Sequence, residues 1–385
     1  MFNSSLIDSI LNRFVDSGAE TGAAAVVMKD GEMLYRGCSG LADADAGTPF
    51  TADTVCRAFS CSKVITSTAV MQLLERGELL LDNRLEWYFP EFAGACLVRD
   101  GKRVPAARAV TVRDLLNMTS GIPYPGDGRE GGSEISELWG RLDKSCREGG
   151  SMTAADLARE AGKCALVFEP GAEWCYGSSA DILGGVVEVI TGKSYADYLR
   201  ENIFSPLGMD DTGFCCPPEK RGRFAVLYDG AGKNRKPLEW VNLCIYDYDK
   251  EPAFQSGGAG IFTTANDLAK LGAALSNGEY KGVKLLGRKT LQFLQQNGLT
   301  PEQRKTFNWD SCRGFGYANL MRMLEDPNAS GLLASKGSFG WDGWTGTFIL
   351  NDPAERLSTV LFLQRAGAGT TDLARTVVNA VYSML

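Results

Sequence analysis

The chain has 385 residues, of which 44% are hydrophobic and 23% charged, with a formal net charge of −7. This balance is typical of a globular protein with a large core, and it excludes a disordered or fibrous chain. Acidic and basic residues are interspersed without a basic stripe, so we expect no nucleic-acid partner. The sequence contains no histidine. That absence excludes the Ser-His-Asp triad, the Cys-His pair and every histidine-ligated metal hydrolase.

The first predicted element is an amphipathic helix over residues 1–15, with apolar residues at helical spacing. Two strands follow, over residues 23–28 and 32–36, joined by an Asp-Gly turn. An apolar pattern over residues 60–76 predicts a buried helix that ends at Gly77. Later stretches predict further helices and a pair of strands: helices over 112–118, 154–162, 180–191, 195–203, 264–276 and 372–385, and strands over 347–350 and 357–363.

These elements predict one catalytic unit of the α+β class over residues 1–385. Residues of about 1–80 and 211–385 form an α/β region, in which one antiparallel sheet is built from both chain ends and flanked by helices. Residues of about 81–210 form a mostly helical inserted region.

Location and cofactors follow from what the sequence lacks. No apolar run approaches the roughly 18 residues of a membrane span, and the first residues lack a basic flank and apolar block. The eleven cysteines include no C-x-x-C pair, which favours free thiols in a reducing compartment over a disulfide framework or zinc ribbon. We therefore expect a cytoplasmic protein with no membrane partner, no metal and no cofactor.

The pattern Ser60-x-x-Lys63 places a hydroxyl and an amine on the same face of a helix, within mutual reach. About one such match is expected by chance in a chain of this composition, so the context matters. Ser60 stands at the start of an apolar helix, near backbone N–H groups. Apolar neighbours lower the pKa of Lys63 and favour the neutral amine, which can accept a proton from serine.

Five segments, in this order and spacing, resemble the β-lactamase-related serine hydrolases of the class C type. The resemblance covers residues of about 20–365. It implies the β-lactamase/penicillin-binding-protein-like (DD-peptidase) fold and catalysis through an acyl-enzyme. The segments are residues 59–63, residues 111–121, the pattern Pro170-Gly171-x-x-Trp174-x-Tyr176, residues 257–261 and residues 340–347.

The resemblance also implies roles for individual residues. Ser60 is the nucleophile, and Lys63 works with Tyr176 as the general base. The backbone N–H groups of Ser60 and Trp344 form an oxyanion hole. Ser178 occupies the position of the asparagine in the family's Tyr-x-Asn motif, so a shorter hydroxyl replaces the amide that helps to orient substrate.

The third motif of the family, Lys-Thr-Gly or His-Thr-Gly, corresponds here to Trp341, Asp342 and Gly343. The cation that helps to bind the carboxylate of penicillins and D-Ala-D-Ala peptides is missing, unless Lys336 or Arg365 supplies it. Trp341, like Trp344, either offers a stacking surface to acyl or aryl groups or packs in the core. Asp342 either attracts a cationic substrate or faces solvent.

The leading hypothesis is therefore a serine esterase or acyltransferase acting on a small-molecule ester or amide. A β-lactamase or D-amino-acid-specific peptidase is the alternative within enzymes. A catalytically inactive binding scaffold is the alternative of another class. The sequence does not indicate an oligomeric state.

Overall fold

An eight-stranded antiparallel sheet forms the centre of the structure, a computed structural model that describes residues 2–238 and 243–385, apart from the side chain of Lys233. The strands in chain order are β1 (Gly22–Lys29), β2 (Glu32–Asp43), β3 (Thr48–Pro49), β4 (Cys56–Arg57), β5 (Cys96–Arg99), β6 (Lys102–Pro105), β7 (Tyr228–Asp229), β8 (Lys236–Pro237), β9 (Phe262–Thr263), β10 (Phe315–Ala318), β11 (Met321–Leu324), β12 (Phe339–Asp342), β13 (Phe348–Asp352) and β14 (Leu357–Phe362).

The order of strands in this sheet is β10-β11-β12-β13-β14-β1-β2-β3. β1 therefore pairs with β14, and the two ends of the chain meet in the middle of the sheet. The remaining strands form three short two-stranded ladders, β4–β9, β5–β6 and β7–β8. The prediction of one antiparallel sheet built from both chain ends is confirmed.

The helices cover the sheet or form the region between residues 112 and 207. They are α1 (Ser4–Asp16), α2 (Ser62–Glu75), α3 (Val112–Leu116), α4 (Gly132–Arg147), α5 (Ala154–Gly162), α6 (Ser179–Thr191), α7 (Tyr195–Leu199), α8 (Ser205–Leu207), α9 (Ala265–Asn277), α10 (Arg288–Leu294), α11 (Pro327–Ser330) and α12 (Asp372–Tyr382). A π-helical turn, Arg200–Phe204, joins α7 to α8. Within residues 2–238 and 243–385, none of the helices has the length and apolar character that a membrane span requires.

The first hairpin matches its prediction. Asp30 and Gly31 both have positive φ, 54° and 81°, which is the backbone that a two-residue type I′ turn requires. The helix predicted from residue 60 begins two residues later, at Ser62. Phe59 has a φ of 44°, outside the right-handed helical region, and a 3₁₀ turn over Phe59–Cys61 leads into α2.

Helix α2 runs through the interior of the molecule, since 12 of its residues are buried. It packs between α6 and the strands β11 and β12. Its N-terminal end thus lies where the central sheet meets the helical region. This position brings residues from distant parts of the chain to Ser60.

Helix α4 was not among the predicted elements, although its sequence carries a helical signal. Its buried residues Ile135, Leu138, Trp139 and Leu142 follow the spacing of one helix face. The glycine-rich stretch before it obscured the start. Gly131, at φ 87°, is the residue that turns the chain into the helix.

Candidate active site

Lys63 is completely buried and makes three polar contacts at the start of α2. Its Nζ lies 3.2 Å from Ser60 Oγ, 3.2 Å from the hydroxyl of Tyr124 and 2.8 Å from the carbonyl oxygen of Gly258. Ser60 itself is only partly buried. The structure therefore brings together the serine and lysine of the motif, with the serine partly exposed and the lysine enclosed.

Burial lowers the pKa of Lys63 from 10.5 to about 7. Removing an ammonium group from water disfavours its charged form. The carboxylate of Asp181 and the thiol of Cys61 act in the opposite direction. Near neutral pH both the amine and the ammonium form are populated, which is the condition that general acid–base catalysis favours.

Tyr176 packs directly beside this lysine. Lys63 Nζ lies 4.6 Å from the centroid of the Tyr176 ring, and the Tyr176 hydroxyl accepts a hydrogen bond of 3.1 Å from Trp341 Nε1. Burial raises the pKa of Tyr176, while hydrogen bonds to Ser60 and Trp341 oppose the rise. The three residues proposed from the sequence, Ser60, Lys63 and Tyr176, thus form one cluster.

Two further residues of this cluster escaped the sequence analysis. Tyr124 donates a hydrogen bond of 3.3 Å to Asp181 Oδ2. The other oxygen of Asp181 accepts from Ser256 Oγ at 2.5 Å and from the N–H of Gly258 at 3.1 Å. Burial raises the pKa of Asp181, and Lys63 opposes the rise. The hydroxyl of Tyr124 and the peptide of Gly258 therefore connect a buried carboxylate to the lysine.

The sequence carried one signal for Asp181 and almost none for Tyr124. Asp181 is an isolated acidic residue in the first turn of the apolar helix α6, where all its neighbours are buried. A lone buried carboxylate requires partners, but the sequence does not say which. Tyr124 lies in the loop before α4, and only long-range packing places it at Lys63.

The segment that corresponds to the third family motif lies against the backbone around the nucleophile. Cys61 Sγ contacts the carbonyl oxygen of Trp341 at 3.7 Å, and Thr347 Oγ1 donates to the carbonyl oxygen of Ala58 at 2.8 Å. A Cβ atom at Gly343 would collide with that same carbonyl oxygen. Glycine is therefore required here for the two segments to approach.

The N–H groups of Ser60 and Trp344 belong to these two adjacent segments. Across residues 2–238 and 243–385, neither N–H has a hydrogen-bond acceptor. The rings of Phe59 and Trp344 are in edge contact, with centroids 5.3 Å apart. Two unpaired donors beside a serine hydroxyl suit the stabilisation of an oxyanion.

The position of Ser178 does not fit the predicted contact with substrate. Its side chain is 2% exposed. Ser178 Oγ donates to the carbonyl oxygen of Pro123 at 2.9 Å and accepts from Trp139 Nε1 at 3.0 Å. We therefore correct the prediction: the hydroxyl connects the loop before α4 to α6, because its donor and an acceptor are already used within the protein.

The charged side chains near the third motif are paired. Asp342 lies 3.3 Å from Arg322, and the two side chains are 13% and 4% exposed. Arg365 forms hydrogen bonds of 2.9 and 3.0 Å with Glu20. Attraction of a cationic substrate by Asp342, and of a carboxylate by Arg365, are both disfavoured, because each charge is compensated within the protein. Lys336 is exposed on the loop before β12.

The aromatic residues divide into a buried layer and an exposed layer. Trp341 is 2% exposed and stacks on Tyr176, with ring centroids 5.7 Å apart. It therefore packs behind the tyrosine, which agrees with core packing, one of the two alternatives that the sequence left open for Trp341. Trp344 is 37% exposed, and Trp309, 42% exposed, lies 5.2 Å from the ring of Tyr176. These two indoles form the accessible apolar surface beside the cluster.

The antiparallel sheet, the buried helix α2 and the Ser-Lys-Tyr cluster at its start define the class of β-lactamase- and penicillin-binding-protein-like serine hydrolases. The chain belongs to the β-lactamase family, whose family model, described as Beta-lactamase, matches residues 7–382. The family resemblance and the α+β fold class predicted from the sequence are confirmed.

Related proteins include esterases and acyltransferases. Esterase EstB of Burkholderia gladioli is 32% identical, over 98% of this chain and 94% of the esterase. Monacolin J acid methylbutanoyltransferase of Aspergillus terreus is 26% identical, over 98% of this chain and 95% of the transferase. Among solved structures, EstCE1, described as a hydrolase with promiscuous acyltransferase activity, has a TM-score of 0.80 at 24% identity and covers 98% of both chains.

Proposed function

We propose that this protein is a serine esterase that cleaves neutral esters of small molecules through an acyl-enzyme on Ser60. The same acyl-enzyme can transfer its acyl group to an acceptor other than water. The observation that carries the proposal is the fully buried Lys63, whose Nζ lies 3.2 Å from Ser60 Oγ. Esterase EstB, a relative at 32% identity over nearly the whole chain, supports the same reaction class.

In the proposed mechanism the neutral amine of Lys63 takes the proton of Ser60 as Oγ attacks the ester carbonyl carbon. The negative charge that develops on the carbonyl oxygen is stabilised by the N–H groups of Ser60 and Trp344. When the C–O bond breaks, Tyr176 gives its proton to the leaving alcohol and recovers one from the Lys63 ammonium. Water or another alcohol then attacks the acyl group and regenerates the serine.

The charges around the site favour a neutral substrate. Trp341 stands where the family has a cation, and Arg365 is already paired with Glu20. Lys336 precedes β12, whereas Gly343 follows the other end of that strand. A carboxylate on the substrate would therefore lack the partner that a penicillin or D-Ala-D-Ala peptide requires. The eleven free thiols support a reducing, cytoplasmic location as part of this proposal.

The first experiment compares the wild type with Ser60→Ala in the hydrolysis of p-nitrophenyl acetate and of a chromogenic cephalosporin. Ser62→Ala is the matched control, because it removes a neighbouring hydroxyl that accepts from the N–H of Ile261 at 3.2 Å. The hydrogen bonds of Lys63 Nζ go instead to Ser60, Tyr124 and Gly258. We expect ester turnover in the wild type and in Ser62→Ala, and none above background in Ser60→Ala.

A second readout separates the alternatives. Incubation with a fluorophosphonate, followed by intact-protein mass measurement, should add one label to the wild type and none to Ser60→Ala. If the cephalosporin is turned over faster than the ester, the protein is a β-lactamase and the esterase proposal is wrong. Absence of both labelling and turnover in a folded wild type would favour an inactive binding scaffold.

A further inference from the structure

A pocket of about 370 Å³ lies between helix α4 and the loop that contains Leu243 and Cys244. Tyr124 and Pro125 form part of its wall. Helix α4 contributes four residues spaced as on one face of a helix: Ser136, Trp139, Gly140 and Asp143. Neither the sequence motifs nor the proposed mechanism uses this pocket.

The polar groups in its wall are already satisfied by the protein. Trp139 Nε1 donates to Ser178 Oγ at 3.0 Å, so its indole needs no partner in the pocket. The carboxylate of Asp143 accepts from Arg147 Nε at 2.9 Å and from the hydroxyl of Tyr246. Hydrogen bonds would therefore add little to the binding free energy of a ligand in this pocket. An apolar ligand would bind by removing its apolar surface from water.

Tyr124 connects this pocket to the nucleophile. Its ring meets that of Trp139 edge-on, with centroids 5.9 Å apart. At the other end, its hydroxyl lies 3.2 Å from Lys63 Nζ, which lies 3.2 Å from Ser60 Oγ. One side chain is thus shared between the pocket wall and the reacting centre.

We propose that this pocket binds an aliphatic chain of the ester, so that the enzyme prefers substrates with a medium-length apolar chain over acetates of small alcohols. The inference rests on the proposed esterase function and adds the class of substrate. A volume of about 370 Å³ falls in the range of roughly 300–1,000 Å³ found for small-molecule sites. The chain belongs either to the acyl group or to the alcohol.

Gly140 offers a way to fill the pocket without damaging the fold. It lies within α4 and lines the pocket, and a Cβ atom built on it meets no other heavy atom within 4 Å. Leucine also has a higher helix propensity than glycine. Glu137→Leu is the matched control, since it adds the same side chain to the same helix at an exposed position outside the pocket.

The experiment measures kcat/KM in wild type, Gly140→Leu and Glu137→Leu for two series of esters. The acyl arm compares p-nitrophenyl octanoate with p-nitrophenyl acetate, and the alcohol arm compares hexyl acetate with methyl acetate. Each buried methylene contributes about fourfold to binding. We expect the long-to-short ratio in one arm to fall at least about tenfold in Gly140→Leu, and to stay at the wild-type value in Glu137→Leu.

The arm in which the ratio falls identifies the occupant as the acyl or the alcohol chain. An unchanged ratio in both arms of Gly140→Leu, with Ser60-dependent acetate turnover intact, overturns the pocket assignment and leaves the esterase proposal standing. Absence of Ser60-dependent turnover of every ester overturns the proposed function itself.

Discussion

Lowering the pH should inactivate the enzyme by protonating Lys63. Burial places the pKa of this lysine at about 7, and only the neutral amine can accept the proton of Ser60. The neutral fraction is then roughly one half at pH 7, one tenth at pH 6 and one hundredth at pH 5. We therefore expect kcat/KM to fall about tenfold for each pH unit below the pKa.

The acidic limb of the pH profile is the range in which kcat/KM falls as the pH is lowered. The direction in which a variant shifts this limb tests whether protonation of Lys63 causes the fall. The titratable groups that face Lys63 are Asp181, Cys61, Tyr124 and Tyr176. Burial raises the pKa of Cys61 to about 12 and raises the pKa of both tyrosines, so these three stay neutral across the assay. The carboxylate of Asp181 raises the pKa of Lys63. Its replacement in Asp181→Asn should move the limb to lower pH.

The assay follows p-nitrophenyl acetate hydrolysis between about pH 5 and pH 9 at a wavelength where phenol and phenolate absorb equally. Asp82→Asn is the control, since its side chain is 82% exposed and pairs with Arg113. Two results would refute the assignment of Lys63 as the base. One is a kcat/KM that does not fall at low pH, and the other is an acidic limb that moves to higher pH in Asp181→Asn.

Three further predictions concern single residues. Gly343→Ala should lower kcat at least about a hundredfold, because the added Cβ collides with the carbonyl oxygen of Ala58 and displaces the Trp344 N–H; wild-type kcat in a folded variant would contradict this. Tyr176→Phe should lower kcat about a hundredfold or more with little change in KM, and an unchanged kcat would exclude a role in proton transfer. Lys63→Met should alter the pH dependence of stability. Between the folded pKa of about 7 and the ordinary value of 10.5 the unfolded wild type binds more protons, so its free energy of unfolding rises with pH by up to about 1.4 kcal/mol per unit. Urea titrations should show that this component of the slope is missing in the variant.

Short-range features of the fold could be predicted because they depend on neighbouring residues. The Asp30-Gly31 turn needs only positive φ at two positions. Ser60 and Lys63 meet because Lys63 lies three positions after Ser60 at a helix start. Helix α4 and the strands β10 and β11 were missed. Of these, α4 follows a glycine-rich stretch, and each of the two strands has only four residues.

The sequence by itself determined the class of chemistry, because the absence of histidine and the Ser60-Lys63 spacing leave few ways to activate a hydroxyl. Tertiary structure decided what surrounds that pair. Tyr124 and Gly258 reach Lys63 from 61 and 195 residues away in the chain, and no local pattern encodes such contacts. For the same reason Ser178 is hydrogen-bonded to Pro123 and Trp139 instead of facing substrate. Burial and charge compensation depend on the whole fold, whereas a motif specifies only residue types and their spacing.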